Sequence, residues 1–358
     1  MDFRVTPEQA MLRDQVRELL AARLPHDRLE AVLASDAGWD RSLWEELAGL
    51  GLVGIALPES VGGAGLGLVE EVLALEETGA ALLPAPYLAT AVLAAPLLAA
   101  RPELAREAVS GARTWTLARE GNVTAAAATG GGWRLRGTLT LVPDLGSADG
   151  VVVVASTADG VGIWALPEGG RRTVLDTTDA TRRLGVLELV GEDALALVAP
   201  GHADEALAAA RIRVRVALAA EALGVARRAL ALGVEHARTR IQFGKAIGAY
   251  QAVAHPLADT YAELELARSL VWRAAWAVDA GEPDAGLAAA MAKSFAADAA
   301  VAACERSIQV HAGIGFTWEH PLQRLLKRAQ GIAVLAGSGA ALRAEIAAAV
   351  LDGPDALE

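Results

Sequence analysis

The sequence predicts a mainly α protein with a central β domain, and three observations carry that expectation. Apolar residues recur at helical spacing through the first hundred or so residues. Short β-prone runs, separated by Gly, Asp and Pro, fill the next stretch. Long helical segments then return from Ala206 to Ala349. A chain of 358 residues has room for several domains with sizeable cores. The expected division is an N-terminal all-helical domain over 1–112, a middle β-barrel over 113–200 and a C-terminal four-helix bundle over 201–358.

Thr6-Pro7-Glu8-Gln9 reads as a helix start, because Thr6 can cap, Pro7 suits the first helical position and Gln9 completes a capping box. Leu12, Val16, Leu19 and Leu20 follow at helical spacing. A second helix is expected over Ser42 to Leu50, then a turn-rich loop from Pro58 to Gly65, then helix again from Leu68 to about Leu98. The β-prone runs are Thr114–Leu117, Trp133–Arg136, Val151–Ala155 and Gly162–Leu166, which suggest a small antiparallel barrel or sandwich. Gly130-Gly131-Gly132 has no helix after it and reads as a hairpin turn. Pro200-Gly201-His202-Ala203-Asp204 marks the return to helix, with breaks expected near Gly244, near Gly281-Glu282-Pro283 and from Gly313 to Gly315.

Composition removes several classes of function. A formal charge of -12 argues against nucleic acid, since phosphate binding needs a basic face. The single cysteine, Cys304, excludes an intrachain disulfide; in its Ala-rich surroundings it reads as a packing thiol. His26, His202, His236, His255, His311 and His320 show no metal spacing, and no nucleophile elbow or phosphate-cradling loop is present. The charge-free stretch from Thr78 to Ala100 could be mistaken for a membrane span, but Pro84, Pro86 and Pro96 interrupt it. Met1-Asp2-Phe3-Arg4 leads straight into a helix, so no secretory leader is expected, and a cytoplasmic protein without a membrane partner is the expectation.

Three motifs occur in order. The first is Gly49-Leu50-Gly51-Leu52-Val53-Gly54-Ile55-Ala56-Leu57-Pro58-Glu59, followed by Gly62-Gly63-Ala64-Gly65-Leu66. The second is Arg240-Ile241-Gln242-Phe243-Gly244-Lys245 with Tyr250-Gln251. The third runs from Gln309-Val310-His311-Ala312-Gly313-Ile314-Gly315-Phe316 through Glu319, Pro321 and Leu322 to Arg324. Together they resemble the acyl-CoA dehydrogenase family over nearly the whole chain. The resemblance implies that family's fold, an acyl-CoA substrate desaturated between its α and β carbons, FAD as hydride acceptor and an electron-transferring flavoprotein to reoxidise it.

The resemblance also exposes a loss. Where the family carries a Tyr-Glu-Gly-Thr turn whose glutamate removes the α proton, this chain reads Leu335-Ala336-Gly337-Ser338. Some relatives place the base on the first long helix of the bundle, where this chain has Val214. Glu221, two helical turns further on, is the one relocated candidate; its plain alternative is an ion pair with Arg211, Arg213 or Arg215.

The flavin contacts divide unequally. Those a subunit makes to its own isoalloxazine look degraded: the first loop shrinks to Leu117–Asn122, the next strand gives Val142-Pro143-Asp144, and Ala340 replaces a polar residue. Those the family lends to a neighbour's flavin look intact: Arg240, Gln242, Phe243, Tyr250, Gln251, Gln309 and Gly313, with Ala312 replacing a glycine. The leading expectation is therefore the base-lacking subunit of an α2β2 acyl-CoA dehydrogenase. Its alternatives are an active homo-oligomer using Glu221 and a non-catalytic scaffold.

Overall fold

The computed structural model describes residues 4–129 and 131–351. Met1–Phe3, which precede the expected helix start, Gly130 of the expected hairpin turn and residues 352–358 lie outside the described residues. The chain opens with α1 (Pro7–Arg23), α2 (His26–Leu33) and α3 (Arg41–Gly49), and continues through α4 (Leu68–Ala80) to a π-helical segment, Leu88–Ala94. That segment runs into α5 (Ala95–Leu98) and α6 (Pro102–Val109). The strands are β1 (Trp115–Ala118), β2 (Gly121–Ala127), β3 (Trp133–Pro143), β4 (Gly150–Thr157), β5 (Gly160–Leu166), β6 (Arg171–Val174) and β7 (Leu184–Val198). Helix returns with α7 (Asp204–Thr239), a hairpin of β8 (Ile241–Gln242) and β9 (Lys245–Ala246), α8 (Gln251–Asp279), α9 (Ala285–His311), α10 (Leu322–Val334) and α11 (Gly339–Leu351).

Local chemistry explains the start of α1. Thr6 accepts from the Gln9 amide at 3.2 Å, and Gln9 returns the bond to the Thr6 amide at 3.0 Å. Among the described residues one single helix, 285–316, is long and apolar enough to cross a membrane, and most of it is buried. The stretch from Thr78 to Ala100 is instead broken between α4, the π-helical segment and α5. Cys304 is fully buried in α9, and that burial pushes its thiol up, as befits a packing residue.

The chain divides into two compact units. One comprises residues 28–67 and 84–214. Its seven strands form one sheet in which β4, β2, β3, β7 and β5 pair in turn and β5 returns to β4, closing a barrel. The barrel is mixed, not purely antiparallel: β1 runs parallel to β4, as does β2 where Thr124 meets Ser156. Inward residues Leu135, Leu139, Val151, Val153, Trp164, Leu166 and Leu187 fill the interior. A second apolar cluster joins Leu93, Leu98, Trp115, Leu117 and Val152, and Val214 packs against it. Thr90 stitches the π-helical segment to β1, donating to the Trp115 carbonyl at 2.8 Å and accepting its amide at 3.0 Å.

The other unit comprises the residues up to Asp27, 68–83 and 215 onward, and it positions the candidate site. In it α4 and α7 cross with almost no space between their backbones. A Cβ on Gly79 would strike the Glu221 carbonyl, and one on Gly224 would strike the Glu76 carbonyl. Only glycine lets two helices approach so closely. Buried Glu76 and Glu77 flank this crossing and are neutralised by Arg227, Arg268 and Arg17 at 2.6–3.0 Å.

Candidate functional site

The ends of four helices gather the exposed residues of the second and third motifs. α7 stops at Thr239, where the Arg240 amide still donates to the His236 carbonyl at 2.9 Å. The chain then turns through a two-residue hairpin loop, Phe243-Gly244, with φ of +52° and +77°. Two successive left-handed residues are the signature of a type I′ turn, and a phenylalanine in that conformation is strained. Its ring is 92% exposed, so no packing inside this chain accounts for the strain. The hairpin is nevertheless anchored. Ile247 donates to the Arg240 carbonyl at 2.8 Å, the Tyr250 hydroxyl donates to the Gln242 carbonyl at 3.3 Å, and the Lys245 ammonium sits 4.2 Å from the centre of the Tyr250 ring.

Arg240, Gln242 and Gln251 are exposed, and the Arg240 guanidinium makes no hydrogen bond or ion pair among the described residues. The second arm lies at the end of α9, where Gln309 and Gly313 are both exposed. Ala312 between them adopts φ +53° and ψ −134°, a conformation suited to glycine. A Cβ on Gly313 would meet nothing, so the backbone there is open to close approach. The arms meet through histidines: the His236 and His311 rings stack at 4.3 Å, and His320 packs on His311 at 4.5 Å. The structure thus brings the Arg240–Gln251 hairpin and the Gln309–Gly313 turn together in one unit.

The Leu335–Ser338 turn, where the resemblance expects a base, is well formed and carries no ionisable side chain. α10 ends at Val334, and Ala336 follows with φ +54° and Gly337 with φ +114°. Arg215 donates through Nε to the Ala336 carbonyl at 3.3 Å while its other nitrogens hold Glu345 at 2.8 Å. Fully buried Lys293 donates to the Ala333 carbonyl at 2.9 Å and to the Gly337 carbonyl. Burial and the neighbouring Arg215 push the Lys293 ammonium down to about 8. Two cations therefore hold the carbonyls of Ala333 at the end of α10 and of Ala336 and Gly337 in the turn after it, and the residue they frame carries only a methyl group.

Glu221 is buried, with a carboxylate oxygen 3.7 Å from the buried guanidinium of Arg328. The partner comes from α10, 107 positions along the chain, and is none of the expected Arg211, Arg213 and Arg215, of which Arg215 instead holds Glu345. In the barrel unit, Leu141 and Asp144 on either side of Val142-Pro143 take left-handed φ of +53° and +49°, and the β3–β7 register slips between Leu139 and Val142. Pro143 has no N–H to give, and its carbonyl is taken by the Thr116 hydroxyl.

These residues fit one half of a flavin dinucleotide. An unpaired guanidinium, an exposed ring and an unobstructed glycine suit a diphosphate and an adenine. In the barrel unit Pro143 offers no N–H, and in the helical unit Ala336 offers no carboxylate. Sequence reading missed Lys293, Arg215 and the histidine stack. A lone lysine inside the Ala-rich run of α9 is a signal for the first; His236 and His311 are joined only by the tertiary fold.

The comparisons with known proteins identify the family. Residues 206–351 match the family model for the acyl-CoA dehydrogenase C-terminal domain, and residues 6–108 match that for its N-terminal domain. Acyl-CoA dehydrogenase IpdE2 of Mycobacterium tuberculosis is 34% identical over 332 residues, covering 92% of each chain. The crystal structure of the ChsE4–ChsE5 complex from Mycobacterium tuberculosis matches with a TM-score of 0.89 at 33% identity, over 99% of this chain and 100% of that one. A Tcur3481–Tcur3483 steroid ACAD structure matches with a TM-score of 0.87 at 34% identity, over 97% of this chain and 98% of that one.

Proposed function

Because this chain belongs to the acyl-CoA dehydrogenase family, we propose that it is the base-lacking subunit of a heteromeric acyl-CoA dehydrogenase, lending its exposed arms to a flavin held mainly by a partner. The single observation that carries this reading is the contrast within one unit. The dinucleotide arms are exposed and unpaired, whereas the base position is Ala336. That two similar structures, ChsE4–ChsE5 and Tcur3481–Tcur3483, are each named as a pair of chains supports it.

In this reading Arg240 neutralises the diphosphate, Phe243 packs against the adenine end, and Gly313 with Gln309 receives the ADP portion by close backbone approach. Tyr250 and Gln242 hold the hairpin that carries them, and Gln251 adds a polar contact from the start of α8. When bound, FAD supplies the acceptor for the hydride that leaves the β carbon of the thioester. The carboxylate that removes the α proton belongs to the partner, since a weakly acidic α hydrogen needs an oriented base. An electron-transferring flavoprotein takes the electrons onward.

The test is co-expression with a second acyl-CoA dehydrogenase-like chain encoded nearby. The complex is expected to be yellow and to bleach with an acyl-CoA, while this chain alone stays colourless. If the lone chain is yellow and bleaches, and Glu221→Gln abolishes the bleaching, the homo-oligomer with a relocated base replaces this reading. If no assembly carries flavin, the chain is a scaffold.

A further inference from the structure

Four of the six histidines draw together where the two arms meet, although the sequence scatters them widely. His26 opens α2, His236 lies on the last turn of α7, His311 ends α9, and His320 sits just before α10. His311 is buried and central: its ring stacks on His236 at 4.3 Å with 26° between planes, and on His320 at 4.5 Å with 53°. The hydrogen bonds fix where protons are. His311 Nδ1 lies 2.8 Å from the Ser307 carbonyl, which can only accept, so that nitrogen carries a hydrogen. His320 Nδ1 accepts the Leu322 amide at 3.3 Å, so that nitrogen carries none, and its ring is neutral. The Nδ1 of His26 is buried without a partner.

The surroundings resist charging these rings. Burial, then His311, His236, His26 and Arg228, push His320 down to about 4. Burial, His311 and Arg240 push His236 down as well. From α10, Arg324 and Lys327 add positive charge but face the Trp318 ring, at 5.2 and 4.0 Å. Glu319 points its carboxylate to its own backbone and Thr317.

The stack has direct connections to both arms. The His236 carbonyl receives the Arg240 amide, and His311 sits between Gln309 and Gly313. We propose that the imidazole stack His236–His311–His320 is a spacer that sets the separation of the two arms, and that protonation of its outer rings, His236 and His320, opens them and releases the dinucleotide in acid. This rests on the reading above, in which the arms hold the ADP end of a flavin.

The direction follows from linkage. Rings free of the stack titrate near the ordinary histidine range, about 6.5, whereas His236 and His320 in the stack titrate lower. Between those two limits the open arms bind more protons than the closed ones. The closed state is therefore fully favoured above the ordinary range and loses ground as pH falls toward about 4, by up to about tenfold per pH unit for each histidine.

The experiment is flavin release from the purified holo-complex, followed by the rise in FAD fluorescence as pH is lowered from 7.5 to 4.5. Wild type is expected to release with a midpoint between about pH 5 and 6, set by the titration window of the stack. His236→Phe and His320→Phe keep a ring but cannot be charged, and each is expected to move the midpoint down by about one pH unit. Both positions are only partly buried, so one variant remains informative if the other fails to fold. His236→Lys places a permanent cation against the stack and is expected to lower flavin retention at pH 7.5 by at least tenfold. A flavin-bearing complex whose release profile is the same in wild type and His236→Phe overturns the inference alone. A complex without flavin at pH 7.5 overturns the functional reading and the inference with it.

Discussion

The two ends of α10 differ in what they leave open to another molecule. Before its first turn lie His320 and the exposed Gln309–Gly313 arm; after its last turn lies the Ala336 loop. The helix between them has 13 residues, so the two regions are separated by about 20 Å of helical rise. At the first end, polar and aromatic groups are anchored through their backbones and left bare at their tips. At the second, the carbonyls of Ala333, Ala336 and Gly337 are already satisfied by Lys293 and Arg215. Bare tips on a rigid mount are prepared for another molecule. A turn sealed by its own unit has a structural task only.

That contrast predicts opposite consequences for stability and for flavin binding. The largest effect is expected from Lys293→Met, which leaves two helix-end carbonyls without a donor. It should cost about 2–4 kcal/mol, read as a drop in Tm, while the folded complex keeps its flavin. Arg240→Ala should do the reverse. Loss of a charge-assisted contact to the diphosphate is worth about 2 kcal/mol, or a 10–100-fold weaker flavin by titration, with no change in the Tm of the flavin-free chain because the side chain is exposed. If Lys293→Met strips flavin from folded protein, or Arg240→Ala lowers the Tm of the flavin-free chain, the comparison fails.

Two smaller substitutions sharpen it. Phe243→Asn turns the hairpin loop into Asn-Gly, which favours φ > 0 at both positions, and should raise stability by about 1 kcal/mol. The same change should weaken flavin retention in the complex, so one residue would trade stability against binding. Ala312→Gly relieves a left-handed alanine and should stabilise by somewhat less than about 1 kcal/mol, seen as a small rise in urea midpoint. If Phe243→Asn improves both quantities, the exposed ring has no partner to meet.

Much of this was legible in the chain itself. Thr6 and Gln9 announced α1, and the order of helices, strands and helices announced the architecture, because capping and periodicity act over a few residues. Parts of the barrel were less visible. β2, rich in Ala, and β7, interrupted by Glu188, Glu192 and Asp193, lack a clean apolar alternation, and the parallel β1–β4 pairing depends on contacts distant in sequence. The break in the apolar stretch after α4 follows Pro84 and Pro86, which the sequence does show.

The site divides in the same way. Arg240, Phe243 and Gly313 could be singled out by motif, and Ala336 by the absence of a carboxylate. The partner of Glu221 could not, because Arg328 lies 107 positions away and only the fold brings it within 3.7 Å. Nor could the spacing of motifs reveal that His236 and His311 would stack, since their proximity depends on how α7 and α9 end.

The most direct measurement is flavin stoichiometry, by visible absorbance against polypeptide mass, for this chain alone and for its complex with the second subunit. The account predicts no stoichiometric flavin in the first sample and bound flavin in the second, lost again when Arg240 is replaced by Ala. One flavin per chain in the isolated protein, unaffected by that replacement, would contradict it.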